Sequence, residues 1–252
     1  MIPALLVLAA CADNPVQPAK SLLPHKLVRN EVTSELFYNS DNQAIKLETT
    51  SVYNGGTMVS TQYFTYDFSG KLIQLNTTSG WQFNYHYLNG RIASTEELVN
   101  AVLSQIHEFE YDNQGQLVQS ITYQDIPEEG GVIPVARDTY AYDRNGNLTR
   151  SQRYYYSTGG TQSFLLTTHD FSQYDNKINP EPHFYFSPIN PLARFFRNNP
   201  GRLEVRNGNG ILSSTETYLY SYNSSGYAVT RTTRSIGSGI DETYQTTYSF
   251  IE

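Results

Sequence analysis

The chain has 252 residues, with 24 Asp and Glu against 17 Lys and Arg, a formal net charge of −7 and one cysteine. A lone cysteine excludes an internal disulfide framework and a multi-cysteine zinc site. The acidic balance, with its basic residues scattered, argues against a nucleic-acid partner, which would need clustered Lys and Arg.

Met1 to Ala10 is an apolar run too short to span a bilayer as a helix but matching the core of a signal peptide. No Lys or Arg precedes it. Leu8-Ala9-Ala10-Cys11 resembles the lipobox of bacterial lipoproteins, which implies cleavage after residue 10, acylation of Cys11 and an extracytoplasmic, membrane-anchored protein. A buried free thiol in an N-terminal strand is the other reading of Cys11. Residues 11–27 carry Pro15, Pro18 and Pro24 without apolar periodicity and read as a tether. Residues 28–252 read as one β domain.

Within that domain a short pattern recurs. Tyr66-Asp67-Phe68-Ser69-Gly70-Lys71-Leu72 returns at Tyr111-Asp112 to Gly115 and Leu117, at Tyr142-Asp143 to Gly146 and Leu148, and loosely at Tyr222-Asn223 to Gly226 and Ala228. Tyr38 to Ala44 is a degenerate copy with Asn42 in the glycine place. Asp at the first position and Gly at the fourth suit a type I turn followed by a left-handed residue, the three-residue hairpin with a bulge. This geometry pairs Tyr66 with Leu72 across the hairpin. A shorter copy, Tyr87-Leu88-Asn89-Gly90-Arg91-Ile92, pairs Tyr87 with Ile92 through a two-residue turn. Strands entering these turns alternate aromatic with polar residues, as in Trp81, Phe83, Tyr85 and Tyr87, so one face is buried and the other is wet. The aromatic stripe reads as core before ligand platform.

Hairpin counting predicts an all-β antiparallel meander of about 14 strands, too many for an open twisted sheet, so the expectation is a closed or nearly closed barrel. The Asp-x-x-Gly turns belong at one end. Longer connections, around Gly80, Glu97 to Ala101, Ile126 to Val132, Gly159 and Ser235 to Gly239, belong at the other. An integral porin would share that asymmetry, but Glu108, Glu110, Arg153 and Arg231, read on the non-aromatic face, would be costly against lipid.

Residues 174–202 break the repeat. At Tyr174-Asp175-Asn176-Lys177-Ile178 a β-branched residue stands where glycine would supply the left-handed conformation, so the chain leaves the sheet. Asn190 as N-cap and Pro191 as first helical residue predict a short capping helix over Pro191–Arg197. It would lay Leu192, Phe195 and Phe196 onto an open end of the barrel.

These hairpins resemble the YD repeats of Rhs-type and teneurin-type shells. Together with Tyr174 to Pro180 and the proline- and aromatic-rich stretch after it, residues 28–252 resemble a family of Bacteroidetes lipoproteins of unknown function. That resemblance implies a porin-like fold and an envelope location; it implies no chemistry.

The sequence carries little sign of chemistry. His25, His86, His107, His169 and His183 fall on separate elements, without a metal-ligand spacing. Glu96-Glu97 and Glu128-Glu129 are placed in or near loops, where adjacent acids are solvated. No cofactor motif is present. The expected function is a lipid-anchored envelope protein that binds or scaffolds, its partner a glycan, a peptide or an envelope protein. A purely structural shell is the alternative. An enzyme would need a cleft joining acids far apart in sequence.

Overall fold

The structure, a computed structural model, describes residues 22–126, 131–181, 184, 188–237 and 239–251. Cys11, the leader, Glu128, Glu129 and His183 lie outside them. The described residues form β1 (Leu23–Arg29), β2 (Val32–Tyr38), β3 (Ala44–Tyr53), β4 (Gly56–Tyr66), β5 (Leu72–Thr77), β6 (Trp81–Leu88), β7 (Arg91–Val99) and β8 (Val102–Tyr111). After these come β9 (Leu117–Ile126), β10 (Gly131–Tyr142), β11 (Leu148–Tyr156), β12 (Ser163–Ser172), β13 (Arg202–Asn207), β14 (Leu212–Tyr222), β15 (Ala228–Gly237) and β16 (Ile240–Ile251).

Every strand pairs antiparallel with its sequence neighbours, and β16 returns to β1, so the sheet closes into a barrel. Among the described residues it has sixteen strands, where hairpin counting suggests fewer. β1 starts within the stretch read as tether. Its Leu27 is fully buried, and its Pro24 sits beside a bulge, where a missing N–H is tolerated.

Gly70, Gly115, Gly146 and Gly226 have φ of 81°, 88°, 83° and 82°. Asp67 Oδ1 accepts the main-chain N–H groups of Ser69 and Lys71, and Asp112 and Asp143 do the same in their turns. Asn39 and Asn223 take this part in the degenerate copies. Asn89 and Gly90 both have positive φ, 51° and 80°, as a type I′ turn requires.

Each turn is followed by a bulge on its return strand. Tyr66 faces Leu72, but Thr65 faces Gln74; the same skip follows Ile92, Leu117, Leu148 and Ala228. An extra residue reverses the in–out alternation. Beyond each bulge the inward residues are therefore three and five places past the motif aliphatic: Leu75, then Thr95 and Glu97, Ser120 and Thr122, Ser151 and Arg153, Arg231 and Thr233. Arg153 and Arg231 thus line the lumen, not the outer face expected of them. Glu97 is likewise a strand residue that points inward, not a loop acid.

All the Asp-x-x-Gly turns lie at one rim. The hairpins of the opposite rim are short as well, down to the two-residue Asn100-Ala101 turn. The long connection, between β12 and β13, leaves from the Asp-x-x-Gly rim and folds down into the lumen. No helix forms over Pro191–Arg197. The main chain there is held in an irregular path by the wall: Asn147 Oδ1 accepts N–H groups from Arg197 and Asn198 at 3.0 and 2.8 Å, and Leu148 N–H donates to Phe195 O at 2.8 Å. Groups committed to the wall are lost to helical i to i−4 bonds. Phe195 packs on Tyr140 and Phe196 on Phe171, each with ring centroids 4.9 Å apart. Pro191 is buried and Leu192 exposed. A sixteen-stranded barrel has room for an aqueous channel; here the chain fills part of it with its own plug.

The outer wall is polar at mid-height. Arg150, Asp170, Glu204, Arg206 and Arg202 form a ladder of ion pairs across β11 to β13, and Gln74, Asn84 and Glu96 form a hydrogen-bonded row across β5 to β7. Such a wall would be costly against hydrocarbon.

Candidate functional site

The plug is tied to the lumen by inward polar groups, of which Thr95 and Arg231 are turned inward by the bulges. Tyr85 Oη donates to Pro188 O at 2.6 Å and Thr95 Oγ1 to Ile189 O at 2.7 Å. Asn190 Nδ2 donates to Tyr111 Oη at 2.8 Å. On the other side Glu181 accepts from Arg231 and Tyr248, both at 2.5 Å, and Arg231 lies over the Tyr218 ring. Phe184 joins the cluster of Leu27, Leu36, Leu75 and Phe83 that makes the apolar half of the core.

Above the plug lies a partly open chamber of about 240 Å³. Its floor is Ile189, Asn190 and Phe195; its walls include His107, Ser120, Asp138, Tyr140, Ser151 and Arg153, from β8 to β11. His107, buried, has Nε2 3.1 Å from Glu97 Oε2 and Nδ1 3.0 Å from Thr122 Oγ1. Arg153 grips Asp138 with two contacts, Nε at 3.1 Å and Nη2 at 3.3 Å. Burial pushes the Asp138 carboxyl above its ordinary pKa, with the Arg153 charge pulling against it. Burial pushes the His169 ring below its ordinary value, and Arg153 adds to that shift. The Tyr140 phenol is pushed up to about 12, chiefly by burial and then by Asp138. Arg153 is nearly half exposed, so the chamber communicates with the unplugged end of the barrel. At that mouth Tyr155 and Phe164 face each other across β11 and β12, both exposed. Asn190 is buried, and its Oδ1 has no hydrogen-bond partner among the described residues.

The residues singled out from sequence are therefore dispersed. Asp67, Gly70, Asn89, Gly90, Asp112, Gly115, Asp143, Gly146, Asn223 and Gly226 shape one rim; of the capping residues, Phe195 reaches the chamber, while Leu192 and Phe196 line a rim cavity of about 420 Å³. The sequence reading missed Glu97, His107, Asp138, Arg153 and Asn190 as a group. Three histidines also gain carboxylate neighbours that only strand pairing supplies: His25 with Glu35, His86 with Glu96 and His107 with Glu97. For Glu97 and Arg153 the signal was their fifth place after Ile92 and Leu148, meaningful only once the bulge is known.

No protein-family model matches the chain, and no curated protein matches it. Solved structures similar in fold include two crystal structures. One is a porin-like protein from Bacteroides uniformis, at 13% identity and TM-score 0.61, over 91% of this chain and 95% of that one. The other is a porin-like protein from Bacteroides vulgatus, at 9% identity and TM-score 0.50, over 81% and 97%. At these identities the likeness is one of fold: an all-β barrel of the porin-like kind.

Proposed function

We propose that this chain is a non-catalytic binding or scaffold protein of a bacterial envelope, held to a membrane by an acylated Cys11, with a glycan or peptide as ligand. One observation carries the reading. The chain's own segment enters the lumen from one rim, and toward the other rim, beyond a chamber of hydrogen-bonding side chains, the inward-facing Arg153, Tyr155 and Phe164 are exposed. A stoppered barrel is a receptacle rather than a channel. The polar outer wall favours a barrel carried on an anchor over one embedded in lipid. The porin-like folds from Bacteroides and the lipobox resemblance support the envelope location.

Two measurements test it. In cells fed a labelled fatty acid, the protein should be labelled and fractionate with membranes, and Cys11→Ser should abolish both. The purified barrel should bind members of a panel of envelope and dietary polysaccharides and peptides. Persistent labelling of Cys11→Ser would remove the anchor from the proposal. Failure to bind any of the panel would leave a purely structural shell as the better reading.

A further inference from the structure

We infer that the chamber between β8–β11 and the plug is a subsite for one neutral pyranose ring, with the Tyr155–Phe164 pair as the stacking platform for the next sugar. The inference rests on the binding reading above and narrows its ligand to a neutral glycan chain end.

Three observations lead to it. The first is a demand for donors. Asn190 is 3% exposed, its Nδ2 donates to Tyr111, and its Oδ1 is a buried acceptor with no partner among the described residues. Asp138 adds a second acceptor on the facing wall. A ligand rich in hydroxyl donors meets Asp138 directly, and meets the fully buried Asn190 Oδ1 once that amide turns toward the chamber. The second is charge. Arg153 alone would suit a phosphate or an acidic sugar, but its guanidinium already grips Asp138, whose carboxylate repels anions. A neutral ligand avoids that repulsion while still accepting from the remaining Arg153 N–H groups. The third is shape. The chamber, about 240 Å³, is below the range of pockets for drug-sized ligands, roughly 300 Å³ and up, and suits a single ring. Tyr140 and Phe195 give it aromatic surface for the C–H face of a sugar. Tyr155 follows Arg153 by two residues on the same strand, so it is the next inward side chain toward the mouth. Opposed there to Phe164, it offers an exposed aromatic surface on the path a chain would take.

The test titrates the full barrel with neutral tetrasaccharides of glucose, galactose, mannose or N-acetylglucosamine, with matched uronic-acid oligosaccharides, and with tetrapeptides, read by calorimetry and saturation-transfer NMR. At least one neutral tetrasaccharide should bind, at least tenfold more tightly than its uronic-acid counterpart. Asn190→Leu and Asp138→Asn should each weaken it tenfold or more. Phe164→Ala should weaken the tetrasaccharide but not the monosaccharide. Because Asn190 also braces the plug, Ser151→Phe serves as a second variant that fills the chamber from the wall. It should abolish binding without changing the near-UV spectrum. Peptide binding without sugar binding overturns this inference and leaves the binding reading standing. Sugar binding that survives both Asn190→Leu and Ser151→Phe overturns the subsite. No binding by any probe overturns both.

Discussion

The phenol of Tyr142 donates to the main-chain carbonyl of Leu117 at 2.8 Å, linking one hairpin to the one before it. Tyr66 does the same to Ala44, Tyr87 to Leu72, Tyr111 to Ile92 and Tyr174 to Leu148. In each case the motif tyrosine reaches the aliphatic position of the preceding copy, so the repeat ties itself together along the rim. Tyr142→Phe removes one such donor from a half-buried carbonyl. It should cost about 1 kcal/mol, the usual net worth of a hydrogen bond, with more if the carbonyl is left dry. Urea denaturation measures this, and an unchanged midpoint would show the ladder to be ornamental.

Asn147 is fully buried and holds the plug's last turn by accepting from Arg197 and Asn198 while donating to Asn198 Oδ1 at 3.1 Å. Asn147→Ala leaves two main-chain N–H groups without that acceptor. A loss of about 2 kcal/mol or more is expected. Proteolysis should quicken between residues 190 and 200 before the strands are cut; cleavage spread evenly along the chain would contradict the anchoring role.

Arg231 and Glu181 form a buried ion pair 2.5 Å apart, joined by Tyr248. Removing one partner strands the other's charge, so Arg231→Met should cost about 3–5 kcal/mol. Arg231→Met combined with Glu181→Leu should recover much of that loss. A double variant as unstable as the single would mean that packing, not the stranded charge, sets the cost.

Ala101 has φ of 66° in an exposed two-residue turn. A left-handed residue with a Cβ is strained by about 1–2 kcal/mol, part of which glycine would give back in chain entropy. Ala101→Gly should therefore raise stability by about 0.5–1 kcal/mol, seen as a higher thermal midpoint. A lower midpoint would contradict the strain.

His169 is held below its ordinary pKa by burial and by Arg153. Its folded state binds a proton more weakly than the unfolded chain. The stability it contributes is therefore complete above the unfolded value, about 6.5, and is lost as pH falls through that value toward the folded one. Denaturation midpoints measured from pH 8 to pH 5 should fall less in His169→Gln than in the parent protein. Equal slopes would show that other groups govern this range.

Much of the barrel was legible from local chemistry. Asp-x-x-Gly turns are set by carboxylate caps and a left-handed residue, both properties of four consecutive side chains, and a long antiparallel meander must close to lose its edges. The break at Ile178 was legible for the same local reason. The helix expected over Pro191–Arg197 was not formed, although its capping residues are sound. Asn147 and Leu148, about fifty residues away, bind the main-chain groups a helix would need, and no local signal reports such a competitor.

The amino-acid sequence by itself determined the hairpins, their register across each turn and the aromatic face that points inward, because those follow from residues within a few places of one another. Only the tertiary structure decided what shares the lumen with the aromatics. A bulge after each motif aliphatic reverses the alternation, carrying Arg153 and Arg231 from the expected outer face, and Glu97 from an expected loop, to the inside. Closure then sets residues from distant hairpins against one plug, so that Glu181 meets Arg231 and Asn190 meets Tyr111. A period-two pattern cannot carry that information, since one unpaired residue changes the side of every residue after it.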